Sequence, residues 1–184
     1  MEKFNVIFDS KNINFVKVTK YLINDYLKMV NNPDVSKYIS LKQRFFTYDD
    51  ELKWIKEKLE SNSIIFSMIE KSTNEFIGNI EIMNIENNIA EFAICITPEK
   101  QGKKYGEESI KRFVEYCFEE IKLDGVELSV YSHNQKAINC YKKLGFAQYK
   151  IENNVGKYNG LSIDDIYMKL KNDRGIKNEM YPYE

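Results

Sequence analysis

The chain has 184 residues, a length that favours one compact domain with a substantial core. With 43% hydrophobic residues, 30% charged residues and a formal net charge of −1, it reads as a water-soluble globular protein. The near-neutral balance removes any bulk electrostatic case for nucleic acid or an anionic membrane surface. Cys95, Cys117 and Cys140 show no CxxC spacing and sit in apolar-patterned segments, so they read as reduced packing residues in a cytoplasmic protein, and no metal is expected. The opening "MEKFNVIFDS" mixes Glu2, Lys3 and Asp9 with a short apolar run and makes a poor signal peptide.

In chain order, Phe4 to Phe8 and Ile13 to Val18 predict two short strands joined by the turn "DSKN". Ile23, Tyr26, Leu27 and Val30 recur at helical spacing, and "NNPD" is expected to close that helix. A second helix is predicted from Thr47, an N-cap followed by Asp49, Asp50 and Glu51 in the first turn, where anions suit the helix dipole. "IIFSMIE", "EFIGNIEIMNI" and "IAEFAICIT" predict an antiparallel meander. Ile110, Phe113, Val114, Cys117, Phe118 and Ile121 mark an amphipathic helix. "GVELSVY" is a strand, Gln135 to Leu144 a helix stopped by Gly145, and "FAQYKI" and "IDDIYMKL" the last strands. This order makes an α+β layout with one mixed sheet and helices on its faces.

Two stretches carry chemistry. In "PEKQGKKYGEES", from Pro98 to Ser109, a strand gives way to a glycine-bearing basic turn and then a helix start. Gly106 is followed by Glu107 rather than by Lys-Ser/Thr, and "GKKYG" is no dinucleotide fingerprint. What remains is a loop whose amides, with the helix N-terminus, suit a pyrophosphate, with Lys100, Lys103 and Lys104 as a local basic patch; a flexible polar turn is the plain alternative. In "HNQKAINCYKKLGF", Ala137 and Tyr141 share one helix face, leaving room for a ligand to reach the hydroxyl; a core tyrosine is the plain alternative there.

Together, in this order and after a meander, the two stretches resemble the GNAT superfamily of N-acetyltransferases from about Ile13 to Leu170. The similarity is greatest to the branch holding spermidine and ribosomal-protein N-terminal acetyltransferases. "AEFAICITPEKQGKKYG" looks like that branch's fourth strand and pyrophosphate loop, "NQKAINCYKKLGF" like its second cofactor-facing helix, and "NGLSIDDIYMKL" like its closing strand. The resemblance implies a largely antiparallel mixed sheet of about seven strands with helices on both faces. It implies a single domain over residues 1–171 followed by a polar tail over 172–184.

It further implies acetyl-CoA as co-substrate, with direct acetyl transfer to a primary amine in a ternary complex. The amine would be a small cationic amine, a polyamine or a protein N-terminus. The alternative is an acyl-CoA-binding sensor on the same fold; a homodimer is common in the branch. The pyrophosphate would lie on the amides of Gln101, Gly102, Lys103, Lys104, Tyr105 and Gly106, and the pantetheine arm along Ile94, Cys95 and Ile96. Lys104 stands where the family usually has a glycine, a substitution that costs on the order of 1 kcal/mol if φ is positive there.

Tyr141 corresponds to the family's general acid, and Asn134 to its cofactor-contacting asparagine. A phenol near pKa 10 giving its proton to a thiolate near 8.5 is uphill by roughly 2 kcal/mol, so Tyr141 is expected to act as a hydrogen-bond donor whose proton moves late. An amide near Ile94 is expected to stabilise the charge that develops on the acyl oxygen. A carboxylate must take the amine's proton, with Glu91 on the small face of its strand the first choice and Glu81 the second. His133 is expected in a solvent-exposed turn, Cys140 and Trp54 in packing. The acidic helix with Asp49, Asp50, Glu51, Glu57 and Glu60 leans toward a cationic acceptor, though ordinary helix solvation explains it as well.

Overall fold

The structure is a computed structural model that describes residues 4–42 and 44–173. The elements run β1 Val6–Asp9, β2 Ile13–Val16, α1 Ile23–Val30, α2 Pro33–Ile39, α3 Tyr48–Glu60, β3 Ile65–Glu70, β4 Phe76–Glu86 and β5 Ile89–Ile96. They continue with α4 Tyr105–Glu119, β6 Gly125–Tyr131, α5 Gln135–Lys143, β7 Ala147–Tyr158 and β8 Leu161–Lys171. One sheet of eight strands has the order β1-β2-β3-β4-β5-β6-β8-β7, against about seven expected from the sequence. Its β5–β6 pair is parallel, because the intervening α4 crossover returns the chain in the same direction.

Apolar residues on the two faces of the sheet build two cores. Phe113 and Val114 of α4 and Ile138 of α5 pack with Phe92, Val126 and Met168. On the other side Ile23, Tyr26 and Met29 of α1 and Ile55 of α3 pack with Ile69 and Phe76. The N-cap expected at Thr47 is present and closes a capping box: its hydroxyl accepts from the Asp50 amide, and Asp50 reaches back to the Thr47 amide.

Pro33 does more than close α1. It sits at the first position of α2, where a missing N–H costs nothing, and Asn32 caps that helix by accepting from the Asp34 amide at 2.8 Å. The last two strands are longer than their apolar patterns and meet in a tight hairpin at Asn159-Gly160, both at positive φ (50° and 80°). Asn172, assigned to the tail from sequence, is tied to the domain: its amide donates to the Asp124 carbonyl at 2.8 Å and its side chain to the Leu123 carbonyl at 3.0 Å. The rest of the tail, 174–184, lies outside the described residues. No helix among the described residues is long and apolar enough to cross a membrane.

Candidate active site

The site begins where the sheet splits. Among the described residues β5 pairs with β6 only through Ile89, Ala90 and Glu91, and from Phe92 to Ile96 its far edge has no strand partner. Its other edge stays zipped to β4 as far as the Gly78–Ile96 pair. The Thr97 amide donates to the Ile77 carbonyl of β4 at 2.9 Å. Strand alternation therefore turns the backbone groups of Ala93 and Cys95 toward β4, and those of Phe92, Ile94 and Ile96 toward the opening. Gly78 makes this close approach possible: a Cβ there would lie 1.9 Å from the Cys95 carbonyl oxygen.

Past β5 the chain makes one 3-10 turn at Pro98–Lys100 and enters α4 through Gly102 and Lys104, at φ 73° and 67°. No amide from Gly102 to Glu107 finds a protein acceptor among the described residues. Six consecutive free N–H groups around a helix N-terminus form a nest for an anion. Lys100, counted in the basic patch from sequence, does not belong to it. Its ammonium is turned under the loop and paired at 2.5 Å with both Glu70 and Glu75. Tyr105 also donates to Glu70, whose carboxyl is held well below its usual value, to about 2, chiefly by the Lys100 hydrogen bond and then by those of Tyr105 and Thr73. Lys100 thus braces the loop, leaving Lys103 and Lys104 as its exposed cations.

Facing the split, Asn134 caps α5 by accepting from the Ala137 amide at 3.3 Å. One turn on, Tyr141 is buried between Phe92 and Phe146. Burial raises its phenol well above the ordinary value, and the neighbouring Cys140 and Cys95 thiols add to the rise. Its hydroxyl makes no hydrogen bond among the described residues, and burial keeps it protonated.

Below the split, between α1, α3 and the β4–β5 pair, lies a cavity of about 390 Å³. Ile94 and Cys95 form one wall and Tyr26 and Trp54 another, their rings packed edge to face at 5.5 Å. Asp50, Glu51, Glu57 and Glu81 bring carboxylates to the lining. Glu81 is bonded to Lys58 at 2.5 Å, Asp50 pairs with Arg44, and Glu57 with Lys53. The Glu51 carboxylate has no ion pair or hydrogen bond among the described residues, although only 5% of the residue is exposed. Burial, and then the charge of Asp50, raises its carboxyl above the usual range.

The acetyltransferase (GNAT) domain family matches residues 12–147. This chain belongs to the GNAT acetyltransferases. Among its relatives is the acetyltransferase PseH of Campylobacter jejuni, 24% identical over 136 residues, covering 74% of this chain and 83% of that protein. The spermidine N(1)-acetyltransferase of Vibrio cholerae is 28% identical over 120 residues, covering 64% of this chain and 69% of that protein. Among solved structures, the spermidine N-acetyltransferase of Vibrio cholerae in complex with CoA and spermine superposes with a TM-score of 0.81 at 22% identity, over 91% of this chain and 99% of that one. The GNAT fold is thus shared, and the family makes this chain an N-acetyltransferase of amines.

On this GNAT fold the residues expected from sequence separate into those that meet and those that do not. Ile94, Ile96, the loop from Gln101 to Gly106, Asn134 and Tyr141 lie around the split. Cys95 points its backbone at β4 and enters through its thiol, which burial pushes up to about 12. Gln101 reaches back, donating its side-chain amide to the Ile96 carbonyl at 2.9 Å. Glu81 lines the cavity, whereas Glu91 does not. Glu91 sits before the opening, opposite Glu127 of β6 in the strand register and near Tyr149 and Tyr167, whose phenols are raised chiefly by burial and least by Glu91.

His133 lies in the turn before α5, as expected from sequence, but it is half-buried rather than exposed. It stacks between Tyr131 and Tyr158 at 5.9 and 4.9 Å, and its Nε2 lies 3.2 Å from the Lys37 carbonyl. The aromatic residues that surround it come from β6, β7 and, with Tyr38 at 5.1 Å, α2, which sequence spacing does not bring together. Glu51 was visible only as one carboxylate among several. Its distinguishing signal is that it falls on the apolar stripe of α3, one turn before Ile55.

Proposed function

We propose that this GNAT member transfers the acetyl group of acetyl-CoA directly to a primary amine, with both substrates bound in one cleft. The observation that carries this reading is the unpaired edge of β5 from Phe92 to Ile96, running from the nest of free amides to the acidic cavity. The nest suits a pyrophosphate, and the β5 edge suits an amide-bearing arm laid alongside as an extra strand. When bound, acetyl-CoA supplies an activated thioester and a leaving thiolate.

The chain's own groups divide the remaining work. The Ile94 amide, directed into the opening, is oriented to donate to the acyl oxygen as charge grows there. Tyr141 holds a proton that burial makes hard to lose, and so favours a strong hydrogen bond to the departing sulfur over early transfer. Glu81, in the cavity wall and fixed by Lys58, is placed to accept the amine's proton directly or through water. This assigns the base to Glu81 rather than to Glu91, which stands on the paired part of β5.

A free-CoA release assay with acetyl-CoA and a panel of amines tests the reading. Release that depends on both acetyl-CoA and an amine is expected, and binding of acetyl-CoA without release under any amine would support a sensor instead. Glu81→Gln should lose roughly tenfold to a hundredfold in rate at neutral pH and recover in part at high pH, where the amine is already neutral. Recovery in Glu91→Gln but not in Glu81→Gln would reverse the assignment.

A further inference from the structure

A chain of hydrogen bonds runs from the start of α1 through the core to the cavity. The Thr19 amide donates to the Tyr26 hydroxyl oxygen at 3.2 Å, and Tyr26 and Ser67 share a bond of 2.7 Å. Ser67 donates to the Asn79 side-chain oxygen at 2.9 Å. Counting protons fixes the direction. Ser67 has one hydroxyl proton and gives it to Asn79, so Tyr26 donates to Ser67. Run the other way, the Tyr26 proton would have no acceptor, because Thr19 offers that oxygen an N–H. Tyr26 and Ser67 are both fully buried, so two core hydroxyls are committed to holding one amide in one orientation. With its oxygen held by Ser67, Asn79 keeps its NH2 group for the cavity that it lines. That nitrogen makes no hydrogen bond among the described residues.

We propose that Asn79 determines acceptor specificity by donating to an oxygen of the acceptor, a hydroxyl, ether or carbonyl oxygen set close to the amine that is acetylated. The inference rests on the amine-transfer reading above and narrows it. An amide N–H does not pair with an ammonium, since both are donors, so Asn79 is matched to an acceptor atom. Asn79 and Glu81 lie on one face of β4, opposite Cys95 and Ala93 of β5 in the register, and all four line the cavity. Two residues apart on a strand, Asn79 and Glu81 stand about 7 Å from each other along the backbone. An amine at Glu81 and an oxygen at Asn79 are therefore joined by a short carbon bridge, as in an amino alcohol or amino ether. An alkyl amine of the same size satisfies Glu81 and leaves the Asn79 N–H desolvated without a partner.

The probes are two matched pairs, 2-methoxyethylamine with n-butylamine and 3-methoxypropylamine with n-pentylamine. In each pair an ether oxygen, which only accepts, replaces a methylene. The readout is the ether-to-alkyl ratio of kcat/KM within a pair, measured by CoA release in the wild type and in each variant. The different basicity of the two amines cancels when the same ratio is compared between proteins. Asn79→Leu should lower the ratio of at least one pair by about tenfold. Asn79→Asp keeps an oxygen for Ser67 and puts an acceptor where the donor was. It should lower the same ratio, and it decides the matter should the Leu variant fold poorly. Ser67→Ala releases the amide and should lower the ratio by about threefold with Asn79 still in place. Thermal unfolding of all three variants is the control.

Ratios that stay within about threefold of the wild type in both Asn79 variants overturn the proposal. An equal loss of rate for both members of each pair also overturns it, and would make Asn79 the holder of a water in the proton path. Saturation-transfer NMR of the same four amines on the protein held with CoA separates this inference from the reading beneath it. If no amine supports CoA release, yet the ethers alone lose binding in Asn79→Leu, the transfer reading fails and the recognition site stands. If the four amines bind the wild type and Asn79→Leu alike, the recognition site fails whatever the turnover.

Discussion

On the α4 side of the cleft the groups offered to a ligand belong to the backbone: the amides from Gly102 to Glu107 and the open edge of β5. On the α1–α3 side they are side chains: Glu51 and Glu81, framed by Trp54 and Tyr26. A backbone site depends on φ, ψ and chain direction, so many side chains are compatible with it, and here Lys104 keeps the left-handed φ of 67° that favours glycine. A side-chain site depends on which residue faces the cavity and whether a neighbour already neutralises it. The first wall is suited to a ligand every family member shares, the second to one that differs between members.

The sharpest way to break this division is at Tyr141, where a side chain is proposed to act on the shared ligand. Tyr141→Phe should lower kcat by about a hundredfold or more while the KM for acetyl-CoA moves by less than about threefold. The hydroxyl makes no hydrogen bond among the described residues, so the variant should fold with unchanged stability, checked by thermal unfolding. An unchanged kcat would make Tyr141 a packing residue between Phe92 and Phe146.

A smaller effect is expected beneath the loop, where side chains hold the backbone wall in place. Glu70→Gln leaves the Lys100 ammonium, whose side chain is 10% exposed, with Glu75 alone, and should cost about 2 kcal/mol of stability. The pH dependence follows from the direction of the shift. Glu70 is held near 2, below its unfolded value near 4.5, so its contribution is fully present above pH 4.5 and is lost as pH falls toward 2. Urea titrations across that window should show the wild type losing more stability than Glu70→Gln. Parallel losses would mean that the Lys100 network does not hold the loop.

How much of this was legible in sequence follows the same division. The nest was readable because glycine, lysine charge and a helix start fall together in "QGKKYGEES", and Ala137 with Tyr141 follow helical spacing. The meander and its parallel crossover follow from strand and helix periodicity. What escaped was whatever depended on neighbours distant in sequence. Lys100 looked like its two neighbouring lysines until Glu70 and Glu75 came beneath it. His133 looked exposed until Tyr131 and Tyr158 closed around it. Glu91 and Glu81 both lie on strands, and only the point where β5 leaves β6 separates them. Helix α2 was hidden because Pro33 reads equally as a stop and as a first helical residue. The long final hairpin was hidden because its strands are largely polar, although Asn159-Gly160 is the turn signal such a hairpin carries.

The smallest expected effect lies at Lys104, where the backbone wall and a side-chain charge meet. Its φ of 67° is left-handed, so the lysine carries a backbone cost of about 1 kcal/mol that glycine would not. Against this, its ammonium adds one charge beside a phosphate at an exposed site, worth about 1 kcal/mol and weakened by salt. If the six free amides do most of the anion binding, Lys104→Gly should change acetyl-CoA affinity by less than about tenfold. It should raise thermal stability slightly and make the salt dependence of binding shallower. Lys104→Ala separates the two contributions, because it loses the charge and keeps the Cβ in a left-handed position. It should therefore be less stable than Lys104→Gly and bind acetyl-CoA no better. Titration of the three proteins at two salt concentrations decides between the walls. Complete loss of binding in Lys104→Gly would make the side chain the principal anion ligand and end the claim that this wall of the cleft is built from backbone.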